Sequence, residues 1–586
     1  MTRKSHSSTS TGIRLPWKSC GAVALLAALL YLPTVRYDFT FDDSVIVARN
    51  PAVQAWGRWR EVLLSDYWPE ASSALYRSVT ILSFAVERPL HGTGPAGFHA
   101  VNVILHSAVS ALACLLAASI LGSGWAAIFV GAAFAAHPIH TEAVSGVVGR
   151  TELLSSFFAM LALWMWLRRS GRSGGTGLQL PAYLLFFLGL GSKENVVILP
   201  LLVLLWESAR RGPRTAGKSL LRSPHFLAFL VPVLLFLGLR TAVLGGISSA
   251  WNPDPPFVEN PLAHEPAPAR VLLALSNQGR AVLLHLFPHP LIADYSYRTL
   301  PGIPALIPLL GMAALAAAGI GLWFVRSERM RAAALGISWY AVAMLPASNI
   351  VFPIGTVFAE RLYYLPSFGL LLAIGAVLLW AQERLRLQLR WGRSTAVLLV
   401  ALLTTVTWVR NPAWSSDLAL FTDTVAKAPE NAKARLWLAD SLVRTGRHRE
   451  SLQHYEKAME IYPQYAAPAM NVVVPLNELG RYREAIDAGR RARGLLHGDN
   501  PVLLYNLGLA HLKLGDSVGF LEAMNRAIAL DPMHGPAHAQ LGRYYMQQTP
   551  DYQRAREHLE QAARLATDES EAEAIRRLLQ RLGRNP

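Results

Sequence analysis

Long apolar runs separated by short polar segments occupy the chain from residue 16 to about residue 410. A helix needs about 20 apolar residues to cross a bilayer, so such runs predict membrane-spanning helices, although several here are shorter. Residues 1–15 are then a cytoplasmic tail, and 36–97 form a long outer loop. We predict eleven spans, at 16–35, 98–121, 125–146, 152–167, 180–192, 195–207, 226–246, 303–325, 332–350, 363–381 and 395–409.

Beyond residue 410 charged residues become frequent, and small residues recur at a fixed interval. Ala458, Ala492, Ala527 and Ala562 lie 34, 35 and 35 residues apart. This is the period of the tetratricopeptide repeat (TPR), a helix-turn-helix unit that stacks into a solenoid. Residues 416–586 are predicted to form three to four such repeats. The predicted fold class is therefore all-α, with a polytopic membrane helix bundle followed by a TPR α-solenoid.

Composition agrees with a membrane protein, because 52% of the 586 residues are hydrophobic and only 16% are charged. The 55 Lys and Arg exceed the 39 Asp and Glu by 16, but they cluster in short loops beside apolar runs. Membrane orientation explains such loops, so we exclude nucleic-acid binding. Cys20 and Cys114 are too few for a disulfide framework. Both lie in apolar runs and are predicted to be packing residues.

The orientation follows from placing the basic loops in the cytoplasm. The N-terminus is then cytoplasmic, and an odd number of spans puts the TPR domain on the extracytoplasmic side. The segment 270–287 resembles a further span, but crossing there would invert the two basic loops that follow. It also carries Asn277, Gln278, Arg280 and His285. We expect it to be an interfacial helix on the outer face.

Charged side chains that a membrane domain should avoid recur at the predicted outer ends of the spans. Asp42 and Asp43 follow span 1, Arg150 precedes span 4, Lys193 lies between spans 5 and 6, and Arg361 precedes span 10. All of them lie at the same membrane face. This placement predicts one site in an outward-facing cavity.

The chemistry of these residues fits group transfer from a lipid-linked phosphate. Adjacent carboxylates at Asp42 and Asp43 repel each other, which can raise the pKa of one and suit it to act as a general base. Alternatively, the two hold a divalent cation. Arg150, Lys193 and Arg361 are cations that can bind the phosphate of the lipid.

Each of these residues also has a purely structural interpretation. An Asp-Asp pair after a span is often part of an ordinary loop or a helix cap. Lys193 could form an ion pair with Glu194 that closes a hairpin. Arg361 could pair with Glu360 or extend along the membrane interface.

Histidines near the same ends form a third group. His137 and His140 could share one helical face with Glu142, unless Pro138 breaks the helix. They could bind substrate, hold a metal or pack at the helix end. A metal, if one is required, would be bound by Asp42, Asp43, His137, His140 and Glu142.

A second polar stripe lies in span 2, where His99, Asn102 and His106 have the spacing of one helical face. This face either lines the cavity or holds helices together. The candidates for binding the acceptor or the sugar are His99, Asn102, His137, His140 and Glu142.

Several motifs in this order resemble one known family. They are Asp42-Asp43, Tyr76-Arg77-Ser78-Val79-Thr80, Phe98-His99-Ala100-Val101-Asn102, His137-Pro138-Ile139-His140-Thr141-Glu142, Gly149-Arg150, Lys193-Glu194 and Ala359-Glu360-Arg361-Leu362-Tyr363-Tyr364-Leu365-Pro366-Ser367. Followed by TPRs, they resemble the transmembrane and tetratricopeptide repeat-containing O-mannosyltransferases, which belong to the GT-C glycosyltransferase superfamily. The match runs from about residue 37 to the end.

The resemblance implies transfer of mannose, or a similar hexose, from a polyprenyl-phosphate carrier to Ser or Thr hydroxyls of proteins. The reaction would take place on the extracytoplasmic side with inversion, and the TPR domain would bind the acceptor. Asp42 or Asp43 would deprotonate the hydroxyl, and Asp43 is our first choice. The chain has about four repeats where animal members carry more, and Ser78 stands where a Pro is usual.

Two other functions remain open from the sequence. A GT-C transferase could modify a lipid or an envelope polysaccharide, with the solenoid docking a partner enzyme. A non-enzymatic TPR membrane scaffold would leave the outer charged residues unexplained. The excess of Arg over Lys, the short N-terminus and the small repeat array favour a bacterial inner membrane over the endoplasmic reticulum.

Overall fold

The computed structural model describes residues 17–583 except 55–56, 69–74, 123, 171–178, 212–219, 246–254, 300–303, 497 and 567–568. The predicted tail, 1–15, lies outside the described residues. All regular elements in the described part are helices, which confirms the predicted all-α class. Two compact units are present, Met1–Ala428 and Pro429–Pro586.

Each of the eleven predicted spans overlaps a helix. These helices are Trp17–Tyr31, Pro95–Leu121, Gly124–Ala136, Arg150–Ser170, Leu180–Ser192, Leu199–Arg211, Leu230–Leu244, Leu306–Leu322, Glu328–Met344, Tyr364–Arg384 and Leu389–Arg410. Within the described residues, six helical segments are long and apolar enough to cross a membrane by themselves. The chain is therefore a membrane protein, and the number of spans stays a prediction.

Small residues let the helices of the first unit pack closely. Gly336 on Glu328–Met344 faces Gly369 on Tyr364–Arg384, and a Cβ on either would collide with the backbone of the other. Close backbone approach of this kind is common between membrane helices, which gain little from burying apolar surface away from lipid. Cys20 and Cys114 are buried in one apolar cluster, as predicted.

Span 3 ends earlier than predicted. The helix stops at Ala136, and the chain continues as short turns, Pro138–His140 and Thr141–Ser145. Pro138 has no N–H to donate and disfavours a helical residue before it, which explains the break. The predicted end at residue 146 is therefore wrong, and the histidine motif lies in a turn.

The outer loop contains a helix, Ser78–His91, that begins at the residue where the resembled family usually has Pro. The first helical position tolerates Pro because its N–H has no partner within the helix. Ser and Pro therefore suit the same backbone at position 78.

Arg329 connects three helix ends that are predicted to lie on the cytoplasmic side. Arg329 donates to Glu383 at 3.1 to 3.4 Å and also to the carbonyl oxygen of Leu121. The segment predicted to be interfacial forms the helix Ala267–Leu286, which packs against Leu306–Leu322. Its position at a membrane surface stays a prediction.

The second unit consists of paired antiparallel helices. In the described residues they are Ala432–Arg444 with His448–Ile461, Ala466–Asn471 and Val473–Glu478 with Tyr482–Leu496, Pro501–Lys513 with Ser517–Leu530, Gly535–Gln547 with Tyr552–Leu565, and a final Glu569–Leu582. Four pairs agree with the three to four repeats predicted. Gly446, Gly480 and Gly515 take φ values of 75° to 78° in the turns, which favours glycine there.

Contacts divide the chain after Ala428, and the predicted start of the solenoid at residue 416 stays a prediction. The helix Asp417–Lys427, predicted to begin the solenoid, belongs to the first compact unit. Arg410 binds Asp423 at 2.5 Å, and the ring of Phe421 packs against Phe41. These contacts attach the helix to the outer loops of the membrane unit.

Candidate active site

The two adjacent carboxylates have different environments. Asp43 is 1% exposed, and its oxygens accept hydrogen bonds from the backbone N–H groups of Thr40 at 3.0 Å, Val147 at 3.1 Å and Val148 at 2.7 Å. Asp42 is partly exposed. The geometry thus favours Asp42 as the carboxylate that can reach a substrate and Asp43 as the residue that positions the loop.

Burial raises the pKa of Asp43 to about 7, and the nearby charge of Asp42 acts in the same direction. The three backbone N–H groups oppose this rise because they stabilise the charged form. A proton on Asp43 would compete with these hydrogen bonds. The raised pKa therefore does not make Asp43 the better base.

Phe41, which precedes Asp42 and Asp43, also holds the loop in place. Phe41 has φ of 54°, a left-handed conformation that costs energy in a non-glycine residue. Its N–H donates to Asp417 Oδ1 at 2.7 Å, and its ring packs edge-on against Phe421 with centroids 5.6 Å apart. The helix Asp417–Lys427 therefore holds the turn that presents Asp42.

Arg361 reaches this region from the start of span 10. Its guanidinium forms an ion pair with Glu142, and its backbone N–H donates to the other carboxylate oxygen at 2.8 Å. Glu142 is buried, whereas the Arg361 side chain keeps 30% of its surface exposed. Arg361 also lies within electrostatic range of Asp42. Glu142 is therefore placed to orient Arg361, whose cation is within electrostatic range of the partly exposed carboxylate.

Two more ion pairs border the site. Lys193 pairs with Glu152, and both side chains are 5% exposed. Arg77 binds Glu194 through two contacts of 2.9 and 3.2 Å. Although burial would raise the pKa of Glu194, the charge and hydrogen bonds of Arg77 lower it to about 2. The hairpin pair predicted between Lys193 and Glu194 is thus replaced by two cross-segment pairs.

Arg77 connects the ion pairs to the acidic loop. Its guanidinium lies over the ring of Tyr67 at 4.9 Å from the centroid. Tyr67 in turn is within electrostatic range of Asp42, Arg77 and Arg361. Tyr67 therefore contacts Arg77 and lies within electrostatic range of the acidic loop and of Arg361.

Arg150 has a different environment from the other predicted phosphate ligands. Its side chain is fully buried and donates to Asn102 Oδ1 at 2.6 Å, to the carbonyl oxygen of Phe98 at 2.7 Å and to Glu87 in an ion pair. Asn102 donates to the carbonyl oxygen of Gly146 at 3.0 Å. These contacts favour a role for Arg150 and Asn102 in holding the turn under Asp43, and not in binding phosphate or sugar.

The predicted histidine ligands are buried and bonded to protein groups. His137 contacts the carbonyl oxygen of His285 at 3.0 Å, and His140 contacts the carbonyl oxygen of Phe134 and the hydroxyl of Ser367, both at 2.8 Å. His99 lies 3.4 Å from the carbonyl oxygen of Asp38. These contacts favour helix-end packing among the alternatives. No group of three or more metal-binding side chains occurs in the described residues.

Comparison with known proteins finds relatives that are named protein O-mannosyl-transferases. The chain is 28% identical to protein O-mannosyl-transferase Tmtc3 of Drosophila melanogaster, over 86% of this chain and 62% of the relative. It is 27% identical to TMTC3 of Homo sapiens, over 78% and 53%, and 28% identical to TMTC1 of Homo sapiens, over 77% and 56%. The predicted resemblance is confirmed.

The tetratricopeptide repeat family matches residues 418–466 and 477–534, which confirms the predicted repeats. Among solved structures, MamA from Desulfovibrio magneticus RS-1 is 19% identical with a TM-score of 0.24, over 26% of this chain and 85% of that chain. Yeast Tom70 is 13% identical with a TM-score of 0.26, over 80% and 96%.

The chain spans less than two thirds of the length of the O-mannosyltransferases it is compared with above. Those relatives come from animals, so they give no support to the predicted bacterial inner membrane.

Sequence reasoning did not single out Arg77, Tyr67 or Glu194 as site residues. Arg77 stands in one of the motifs that carry the resemblance, and Glu194 directly follows Lys193. The sequence therefore contained a signal for Arg77 and one for Glu194. What the sequence lacked was the pairing of Arg77 with Glu194, which joins segments 117 residues apart.

Proposed function

We propose that the chain transfers a mannosyl group from a polyprenyl-phosphate carrier to Ser or Thr hydroxyls of proteins, on the extracytoplasmic side of the membrane. The observation that carries this proposal is the partly exposed Asp42 within electrostatic range of Arg361, which forms an ion pair with Glu142. The similarity to proteins named O-mannosyltransferases supports the choice of sugar and acceptor.

In the proposed reaction Asp42 is the general base. Its carboxylate takes the proton of the acceptor hydroxyl while the hydroxyl oxygen attacks the anomeric carbon of the sugar. The bond from that carbon to the phosphate oxygen breaks, and polyprenyl phosphate leaves with the bonding electrons. Attack opposite the leaving group inverts the anomeric centre, and the proton remains on Asp42 until the products leave.

Arg361 would stabilise the negative charge that grows on the leaving phosphate. A cation that is already oriented costs little reorganisation as the charge develops. Glu142 supplies that orientation through two contacts to Arg361. Lys193, like Arg150, is buried and paired with a glutamate, so we assign it the role of holding its segment and not of binding phosphate.

The solenoid would bind the polypeptide acceptor. Stacked TPR units present an extended concave surface, which suits a peptide. Nothing in this role requires the solenoid to take part in the chemistry.

The proposal is tested in membranes from cells that express the wild type, Asp42→Asn or Asp43→Asn. The membranes receive radiolabelled polyprenyl-phosphate mannose, and labelled protein is separated from labelled lipid. We expect the wild type to label protein and Asp42→Asn to reduce labelling by about 100-fold or more, because general-base catalysis contributes about 100- to 10,000-fold. We expect a smaller loss for Asp43→Asn.

Two results would contradict the proposal. Normal labelling by Asp42→Asn would exclude Asp42 as the base. Label that enters only a lipid or a glycan would favour the envelope-modifying transferase. Removal of residues 429–586 leaves the helix Asp417–Lys427 with its own unit and should abolish protein labelling if the solenoid binds the acceptor.

A further inference from the structure

Glu360 anchors the short 3-10 helix Glu360–Tyr363, from which Arg361 projects. Its carboxylate is fully buried and accepts hydrogen bonds from the N–H of Ile292 and from the hydroxyl of Tyr295, both at 2.7 Å. Consecutive side chains of a 3-10 helix point about 120° apart, because three residues complete one turn. An anchored Glu360 therefore sets the direction in which the Arg361 side chain leaves the backbone.

A buried arginine lies next to Glu360. Arg410, at the end of the helix of span 11, is 6% exposed, and its Nη2 lies 3.8 Å from Glu360 Oε1. Its Nη1 donates to Asp423 Oδ2 at 2.5 Å. A buried charge is costly without partners, and the two carboxylates compensate this guanidinium from two sides. Arg410 therefore joins the segment of Arg361 to the helix Asp417–Lys427.

The loop that contains Ile292 is attached to the same helix, Asp417–Lys427. Thr424 Oγ1 accepts the N–H of Ala293 at 3.3 Å, and the preceding residue, Ile292, donates to Glu360. Thr424 and Ala293 are 131 residues apart in the chain. Besides the ion pairs described above, a second connection therefore links Glu360 to this helix.

The first residue of the helix holds the acidic loop. Asp417 Oδ1 accepts the N–H of Phe41 at 2.7 Å, and Phe41 directly precedes Asp42 in the chain. Asp417 and Asp423 are six residues apart, which corresponds to about 9 Å along a helix. The backbone hydrogen bonds of an α-helix fix this spacing. The helix therefore connects the segment of the proposed base to the segment of Arg361.

We propose that Arg410 and Asp423 are positioning residues, which fix Arg361 relative to Asp42. The inference rests on the proposed function, because it takes Asp42 as the base and Arg361 as the cation at the leaving phosphate. Neither Arg410 nor Asp423 contacts the substrate in this arrangement. Displacement of a catalytic group by about 1 Å can cost about 100-fold in rate, so residues outside the substrate contacts can still control the reaction.

The first test measures the initial rate of protein labelling by radiolabelled polyprenyl-phosphate mannose, in membranes with equal amounts of each variant. Asp423→Asn keeps the size of the side chain and removes the charge that holds Arg410. We expect kcat to fall about 10-fold, less than for a displacement of about 1 Å, and the KM for the mannosyl donor to change little. The reason is that Arg361 acts mainly on the charge that grows in the transition state. Asp423→Glu, which keeps the charge, should recover most of the rate.

A double variant separates positioning from general damage. Asp423→Asn should cause no further loss in the Arg361→Ala background, because its effect passes through Arg361. Glu383→Gln is the matched control. It removes the partner of Arg329 in another ion pair of the membrane unit, at the predicted cytoplasmic ends, and should leave kcat unchanged.

The second test follows the segment of Arg361 without any transfer of sugar. Hydrogen exchange is measured by mass spectrometry on the full chain in phosphatidylcholine nanodiscs. Asp423→Asn should raise amide exchange in residues 359–364 about 10-fold, the effect of losing one hydrogen bond to a charged group. Glu383→Gln should leave the exchange of this segment unchanged.

Three outcomes would overturn the inference. An unchanged kcat for Asp423→Asn would show that the network does not control the reaction. An equal loss of kcat in the Arg361→Ala background would show an effect that does not pass through Arg361. Equal exchange of residues 359–364 in Asp423→Asn and Glu383→Gln would show that the segment is held in another way. If Asp423→Asn does not fold, Arg410→Lys takes its place with the same expectations, because it keeps the buried charge and loses the two-sided contact.

The two tests also separate this inference from the proposed function. Faster exchange in residues 359–364 of Asp423→Asn, without transfer of mannose by the wild type, would refute the proposed function and keep the positioning network. Transfer of mannose by the wild type, with exchange and kcat unchanged in Asp423→Asn, would do the reverse.

Discussion

Ion pairs in the membrane unit and in the solenoid differ in burial and in the sequence distance between the partners. In the membrane unit the pairs are largely buried and join distant segments, as in Arg361–Glu142, which are 219 residues apart. In the solenoid many pairs lie three or four residues apart along the chain, such as Arg447–Glu450, and both of these side chains are about half exposed. The two kinds of pair therefore contribute differently to stability.

The difference follows from the cost of removing charge from water. A buried pair compensates the loss of hydration of its partners, so removing one partner leaves an uncompensated charge. An exposed pair gains little because water and salt already screen both groups. The membrane unit thus depends on specific partners to hold its outer loops, whereas the solenoid depends on its repeated apolar packing. Four predictions test this contrast, in order of decreasing effect.

The largest effect concerns pH and the buried carboxyl of Asp43, whose pKa is raised to about 7. A carboxyl with a raised pKa binds its proton more tightly in the folded chain than in the unfolded chain. Its contribution to stability is therefore fully present below pH 3.8 and is lost as the pH rises through 7. We expect a loss of up to about 4 kcal/mol for this group.

The measurement compares the thermal unfolding midpoint of the wild type and Asp43→Asn between pH 4 and pH 8. Asp43→Asn should resemble the wild type at low pH, because the protonated carboxyl, like the amide, offers one carbonyl oxygen to the backbone N–H groups, and the stability of the variant should change less with pH. Parallel pH profiles for the two proteins would contradict the raised pKa. Glu194, with its pKa lowered to about 2, has the opposite sign and loses its contribution only below about pH 4.5.

Hydrophobic periodicity predicted most of the fold because it is a local property. All eleven predicted spans overlap helices, and the 34- to 35-residue period predicted the four helix pairs. The helix Asp417–Lys427 is the informative exception. Its pattern matches a repeat, yet its contacts with Phe41 and Arg410 place it in the membrane unit. A contact with a residue 376 positions away leaves no local signal.

The sequence predicted where the candidate site lies but not what each residue does there. Common placement at the outer ends of spans predicted that the motifs meet; contacts join Asp43 to Val147 and Val148 and join Arg361 to Glu142, and a single shared site stays a prediction. From the sequence Asp43 was the first choice as the base, whereas the hydrogen bonds that Asp43 accepts from the N–H groups of Val147 and Val148 favour Asp42. Likewise, Arg150 has the charge of a phosphate ligand, but its donors are engaged inside the protein.

The second prediction concerns the pair that orients Arg361. Glu142→Ala leaves the guanidinium and the backbone N–H of Arg361 without their carboxylate. We expect a loss of about 3 kcal/mol, at the low end for a broken buried pair because the Arg361 side chain is 30% exposed. Glu142→Gln keeps an acceptor and should lose less. Unfolding of Glu142→Ala in detergent at the wild-type temperature would show that the pair does not stabilise the loops.

The third prediction tests whether the loss of stability on removing one partner depends on the burial of the contact and not on the unit in which it lies. In the solenoid, Asp440 accepts hydrogen bonds from Tyr455 at 2.5 Å and from Asn471 at 3.0 and 3.1 Å, which link the first helix pair to the second. Asp440→Ala leaves both donors unsatisfied, and we expect a loss of about 2 kcal/mol in the unfolding of the solenoid. Asp440→Asn, which keeps one acceptor, is the matched control. Equal stability of Asp440→Ala and the wild type would contradict this reasoning.

The smallest loss of stability is expected for exposed ion pairs whose partners are three residues apart. Glu450→Ala removes the partner of Arg447, and Glu484→Ala removes the partner of Arg481, yet all four side chains keep 42% to 58% of their surfaces exposed. Water replaces the lost carboxylate in each case, so we expect no measurable change in the unfolding temperature of the solenoid and none in protein labelling. A shift as large as that of Asp440→Ala would mean that exposed charge pairs hold the repeats together. The contrast between the two units would then reflect only the sequence distance between partners, because burial would no longer distinguish their energies.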